Sequence, residues 1–183
     1  MNLIQIDVHN LSEVDFDDLY ERSKDTIDIN WPADSSFTDA ERKARIIAII
    51  TSGFNNEWPG LNVHAPNDRY VASKTVDLDT GKDMQFVTGF ILEDGTFDGR
   101  HFFTAADENG SRNYVYSEAF RQIRSEWNAR LGITKTLYRN ILANSTIHKS
   151  IRLRQNTGFF TILEDVESPL GPNFRNVLVQ FNE

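Results

Sequence analysis

Two stretches carry the residues whose types and spacing could do chemistry. The first is RNYVYS, Arg112 to Ser117, where a cation and a small hydroxyl residue flank the predicted start of a helix. Backbone N–H groups at such a start, together with the positive end of the helix dipole, favour an anion. The second is SIRLRQNTGFF, Ser150 to Phe160, which places Arg154 late in a helix that leads into a strand. A guanidinium stays charged across the working pH range, so Arg154 can hold a phosphate or stabilise a developing anion but is a poor proton donor. His101 and Glu108 are candidates for moving protons, yet neither has a partner visible in the sequence, and an exposed loop acid is most often a solvated charge. His9, His64 and His148 lack the i, i+4 pairing of a helical metal site, which argues against metal catalysis. The chain has no cysteine, which removes disulfides, thiolate ligands and cysteine nucleophiles together.

The 183 residues suit one domain, 1–183, and the 39% apolar content with 13 Phe predicts a packed core. Net charge is −8 and the basic residues are scattered, so no broad nucleic-acid face is expected. No apolar run approaches the roughly 18 residues of a membrane span, and MNLIQIDVHN has neither a basic region nor a signal-type core. A soluble, cytoplasmic protein is expected.

The chemistry-bearing groups need elements to position them. LIQIDV (Leu3 to Val8) alternates as a strand, and SEVDFDDLYERSKD reads as a helix. INWPADSSF is a loop broken at Pro32, and TDAERKARIIAIITSG is a helix with capping-box spacing at Thr38 and Glu41 and a stop at Gly53. After the irregular insert NNEWPGLNVHAPND come YVASKTVDL, MQFVTGFILED and RHFFTAA, an antiparallel meander joined by DTGKD and GTFDG. SEAFRQIRSEWNARLG puts Phe120, Ile123, Trp127 and Leu131 at helical spacing, between a Ser117 N-cap and a Gly132 stop. ITKTLYRNIL is a strand; Asn144, Ser145 and Thr146 offer caps for a helix running to Gly158; FFTILED and FRNVLVQF are two final strands. The predicted core is Ile4, Ile6, Ile47, Phe86, Phe90, Phe102, Phe120, Ile123, Trp127, Leu137, Ile151 and Phe160.

This order of elements resembles the GNAT family of N-acetyltransferases over essentially the whole chain. SIRLRQNTGF is similar to the family's stretch ahead of its sixth strand, matching at Ile151, Arg152, Leu153, Gly158 and Phe159. The resemblance implies an α+β fold in α/β/α layers: a mixed, twisted seven-stranded sheet with about four helices, strands 4 and 5 parallel and splayed. It also implies acetyl transfer from acetyl-coenzyme A to a small-molecule or peptide amine. Arg112, Asn113, Val115 and Ser117 then occupy the pyrophosphate loop, and Ala105 and Asp107 the splayed backbone that receives the pantetheine arm. Asn144 matches an asparagine that contacts coenzyme A, and Glu108 or His101 would relay the proton from the attacking amine. Arg154 stands where many members carry the tyrosine that protonates the departing thiolate. Trp31, Trp58 and the two inserts would set acceptor specificity.

Val115 departs from the family's loop glycine, and a β-branched residue resists positive φ. Weak or undetectable acetyl-coenzyme A binding is the resulting expectation. FRQIRSEW and ANSTIHKSIRLRQNTGFF also resemble small internal virion proteins of short-tailed coliphages. That second resemblance implies the alternative, a non-catalytic structural or interaction protein with virion partners or a homodimeric association.

Overall fold

Capping residues start the helices. In the computed structural model, which describes residues 1–30, 37–57 and 68–182, Thr38 and Glu41 cap α2 (Asp39–Phe54) reciprocally. The Thr38 N–H donates to Glu41 Oε2 at 2.7 Å and the Glu41 N–H to Thr38 Oγ1 at 3.2 Å. Ser117 caps α3 (Glu118–Leu131), which Gly132 ends at a φ of 71°. Ser145, of the three candidates, caps α4 (Thr146–Asn156). α1 (Phe16–Asn30) starts later than the sequence suggests, because a capping box between Asn10 and Glu13 spends the preceding residues on a separate 3-10 turn at Leu11–Glu13. Trp31, Trp58 and His64 lie outside the described residues.

Seven strands form one sheet: β1 (Leu3–Asp7), β2 (Arg69–Asp77), β3 (Lys82–Ile91), β4 (Thr96–Thr104), β5 (Lys135–Leu142), β6 (Phe160–Ser168) and β7 (Gly171–Phe181). Their order is β1-β2-β3-β4-β5-β7-β6, antiparallel throughout except for the parallel pair β4 and β5. GTFDG is strand and not connector: Gly95, at a φ of 79°, takes the turn, and β4 begins at Thr96. No helix among the described residues is long and apolar enough to cross a membrane.

Neighbouring strand residues point to opposite faces, and both faces are covered. Phe86 packs with Phe16, Leu19 and Tyr20 of α1 and Ile46 and Ile50 of α2, whereas Val87 packs with Phe97 of β4 and Trp127 of α3. Phe86, Phe90, Phe120, Trp127, Ile151 and Phe160 are buried as predicted. Ile47, Phe102 and Ile123 are partly buried, as are Ile4 and Leu137, but Ile6 is 39% exposed. β1 is an edge strand, and the core contacts come from Leu3 within it and Val8 just after it instead. Asp7 ties that edge to α3, accepting Trp127 Nε1 at 2.9 Å and the two Arg130 amino groups at 2.6 and 2.8 Å.

β4 and β5 pair only from Thr96 opposite Lys135 to Gly99 opposite Tyr138, and then part. Each carries an extra residue at the parting. Thr88 faces His101 but Gly89 faces Gly99, so Arg100 is extra in β4, while β5 gains one residue between Tyr138 and Ile141, where Asn140 adopts a φ of 55°. A Cβ on Gly89 would lie 2.4 Å from the Asp98 carbonyl oxygen, so the approach requires glycine. At the vertex the buried Asp98 carboxylate accepts Arg100 Nη2 at 3.0 Å and Arg139 Nε at 3.0 Å, one arginine from each diverging strand. Removing one partner of a buried ion pair costs about 3–5 kcal/mol because the rest is left uncompensated. Asp98→Ala is therefore expected to lose stability of that order, measured by urea unfolding at pH 7.

Candidate functional site

The fork opens a cavity of about 100 Å³. Phe102 and Thr104 line it from β4, Thr136 and Tyr138 from β5, Tyr116 and Arg124 from the α3 side, and Ser150 and Arg154 from α4. The spacing of Phe120, Arg124 and Trp127 turns Arg124 inward with the apolar face of α3. It is 7% exposed, stacks on Trp127 at 5.1 Å from the ring centre, and donates from Nη2 to Gln85 Oε1 at 2.6 Å. Burial pulls its pKa down to about 10, which leaves it charged at neutral pH. Arg154 is half-buried. Its guanidinium lies 5.9, 5.8 and 5.7 Å from the ring centres of Tyr116, Phe120 and Phe159.

The stretch RNYVYS forms a 3-10 helix (Asn113–Tyr116) and not an open cradle. The N–H of Asn113 donates to Ser111 Oγ at 3.1 Å, that of Val115 to the Arg112 carbonyl at 3.2 Å, and that of Ser117 to the Tyr114 carbonyl at 3.0 Å. Val115 is 3% exposed and belongs to the core cluster, so its side chain points into the protein. The Ser117 hydroxyl accepts the Phe120 N–H and donates to the Tyr114 carbonyl at 2.7 Å. Arg112 reaches back over the end of β4: its Nε donates to the Thr104 carbonyl at 2.8 Å, and its amino groups pair with Asp25 of α1 at 3.1 and 2.5 Å.

The backbone that follows is bonded throughout. At Ala105 the N–H donates to the Met84 carbonyl at 2.8 Å, and the carbonyl accepts the Tyr114 hydroxyl at 3.1 Å. Ala106 exchanges two bonds with Arg22 of α1, its N–H to the Arg22 carbonyl at 3.0 Å and its carbonyl from Arg22 Nη1 at 3.1 Å. The Asp107 N–H donates to the Ser111 carbonyl at 2.7 Å and its carbonyl accepts the Gly110 N–H at 3.0 Å, while its carboxylate takes the N–H groups of Asn109 and Ser111. Burial pushes the Tyr114 phenol well above its usual range.

The two proton-moving candidates do not meet. Glu108 is exposed on the loop after β4, with Lys82 at 3.9 Å. His101 lines a different cavity of about 510 Å³ with Arg100, Arg139 and Asn140, bonded through Nδ1 to Thr88 Oγ1 at 2.9 Å. Burial, reinforced by Arg100, pulls its pKa down to about 4, so it is neutral at pH 7. Asn144 is exposed at a φ of 62°, and its N–H donates to His148 Nδ1 at 3.1 Å. Among the described residues no group of three or more His, Asp or Glu is placed to hold a metal. Sequence reasoning missed Arg22, Tyr114 and Arg124; of these only Arg124 carries a local signal, an arginine at a buried helical position.

A parallel, splayed strand pair inside an otherwise antiparallel seven-stranded sheet is also what solved acetyltransferases show. An aminoglycoside acetyltransferase in complex with coenzyme A and kanamycin is similar over 98% of this chain and 95% of its own, with a TM-score of 0.58 at 12% identity. The ribosomal-protein-S5-alanine acetyltransferase of Vibrio fischeri matches over 100% and 94%, with a TM-score of 0.57 at 12% identity. The spermidine N-acetyltransferase of Vibrio cholerae, solved with coenzyme A and spermine, matches over 99% and 95%, with a TM-score of 0.55 at 10% identity. The chain has the GNAT fold. Coenzyme A is thus bound in solved examples of this fold. No family model and no curated protein matches the sequence.

Within the GNAT fold of this chain, Asp165 on β6 anchors α4 and hence Arg154. It accepts His148 Nε2 at 3.0 Å, Arg152 Nη2 at 3.0 Å and Arg175 Nε at 2.7 Å. Because His148 Nδ1 accepts from the Asn144 N–H, the hydrogen-bond pattern assigns the ring proton to Nε2. Burial alone would raise the Asp165 carboxyl, but these three donors outweigh it and hold the pKa at about 2, below the ordinary 3.8. A depressed pKa stabilises the fold above pH 4 and the benefit is lost as pH falls toward 2. Asp165→Asn should be less stable than the parent at pH 7 and should approach it at pH 2, in urea midpoints measured across that range.

Proposed function

We propose that this chain is a GNAT-fold protein that acts by binding, as a non-catalytic structural or interaction protein, and not by acetyl transfer. One observation carries the reading. The Ala105 and Asp107 backbone, which the resemblance assigns to pantetheine, is already bonded, Ala105 to Met84 and Tyr114 and Asp107 to Ser111 and Gly110, while Arg112 and Arg22 hold the Thr104 and Ala106 carbonyls. The residues present do not fit coenzyme A. Its arm would have to displace these internal bonds, and each buried polar group left unpaired costs about 1–3 kcal/mol. The pyrophosphate site is weakened as well, since the N–H groups of Asn113, Val115 and Ser117 are already bonded and Glu118 puts a negative charge in the first turn of α3. Arg154 offers no proton to a thiolate, and His101 and Glu108 do not converge with it.

The retained fork and the coenzyme A complexes of similar folds favour the second reading, acetyl transfer to an amine. Calorimetric titration with acetyl-coenzyme A separates the two. No binding heat is expected, and a micromolar Kd would restore the enzyme. Val115→Gly is expected to gain no acetyl-coenzyme A binding and to lose about 2–4 kcal/mol of stability, because it removes a core side chain that also lines the fork cavity.

A further inference from the structure

The fork cavity is cationic in an acidic protein. Against a net charge of −8 for the chain, its lining includes Arg112, Arg124 and Arg154 and, among the described residues, no Asp or Glu. Arg112 is paired with Asp25, but among the described residues neither Arg124 nor Arg154 has a carboxylate partner. Arg124 is more than nine-tenths buried at 7% exposure, and its hydrogen bond goes to a neutral amide oxygen, Gln85 Oε1. Arg154 has a buried Nε without a hydrogen-bond partner. Both guanidinium groups rest on the ring of Phe120, 6.0 and 5.8 Å from its centre, so two like charges share one apolar surface with no counter-ion among the described residues. Buried charges are tolerated when they are paired, and an unmatched pair of cations calls for an anion.

We propose that this cavity binds a small organic carboxylate, its head group held between Arg124 and Arg154. The planar donor forks of arginine match a carboxylate, and the hydroxyls of Tyr116 and Ser150 add polar groups to the same lining. Phe102, Ile147, Ile151 and Phe181 supply apolar walls, which suit a ligand with a short hydrocarbon body better than free phosphate. The volume of about 100 Å³ is smaller than the roughly 150 Å³ cavity that takes benzene, so the body is a short chain. The inference rests on the reading that pantetheine does not enter the fork, because both would occupy the same space.

Thermal unfolding of the intact protein at pH 7 and constant ionic strength tests it, with sodium butyrate as the probe and sodium phosphate and sodium chloride as controls. Butyrate should raise Tm saturably, by about 5–10 °C at a hundredfold excess over Kd. Arg154→Gln should abolish the rise. Arg124→Met should also abolish it, and should melt higher than the parent without butyrate because an uncompensated buried charge is gone. The proposal falls if butyrate gives no saturable rise, if phosphate or chloride gives an equal one, or if the rise survives in Arg154→Gln. Any of these results with no acetyl-coenzyme A heat would leave the binding-protein reading standing, whereas acetyl-coenzyme A heat would bring down that reading itself.

Discussion

The carboxylate of Asp98 holds the two strands of the fork at the point where they separate. β4 and β5 would otherwise continue as a regular parallel pair, and nothing in a parallel ladder makes it stop. It stops because each strand gains one residue at the same level, which rotates the following segment away, and because Asp98 takes Arg100 from one branch and Arg139 from the other. The charges that would repel across the opening are instead drawn to one buried anion. The cavity, the inward face of α3 and the docking of α4 all depend on this separation, since a closed sheet would leave Arg124 and Arg154 no interior to face.

Opening a sheet exposes a row of backbone groups, and those groups must bond to something. A cofactor is one solution and the protein's own side chains are another. Here Arg22 from α1, Arg112 and Tyr114 from the loop, and a turn closed by Asp107 supply the partners. The 3-10 turn belongs to the same arrangement. It directs Tyr114 and Val115 inward, where the tyrosine hydroxyl also reaches the Met84 carbonyl at 2.6 Å, and it uses N–H groups that a looser loop would leave free for an anion. The segment that leaves β4 is therefore held by the protein's own side chains.

Much of this architecture was legible in the sequence because its causes are local. The spacing of Phe120, Trp127 and Leu131, the Thr38 and Glu41 box and the Ser117 cap each act within a few residues, and they place α2 and α3 correctly. GTFDG misled because turn chemistry and strand chemistry overlap there, and only pairing with β3 decides between them. Ile6 misled because alternation identifies a strand but not whether it lies at an edge. Val115 was legible as an obstacle but not in its direction, which follows from the 3-10 turn. Among the bonds that hold Thr104 to Asp107, those to Arg22 and Met84 join residues distant in the chain, and no spacing rule announces them.

Arg124 shows how a residue can be visible and still unread. Its position between Phe120 and Trp127 puts it on the buried face of a helix, where charge is normally excluded unless something compensates it. Ring stacking offsets part of that cost, as does the Gln85 amide, yet neither supplies a negative charge. Arg154, brought to the same Phe120 ring by α4, adds to the imbalance. Stability alone would favour an apolar side chain at position 124, because a well-packed hydrophobic residue often replaces a buried charge at no loss. Two arginines on one ring at the base of the fork therefore place the recognition chemistry of this cleft on the side chains behind the strands and not only on their backbone.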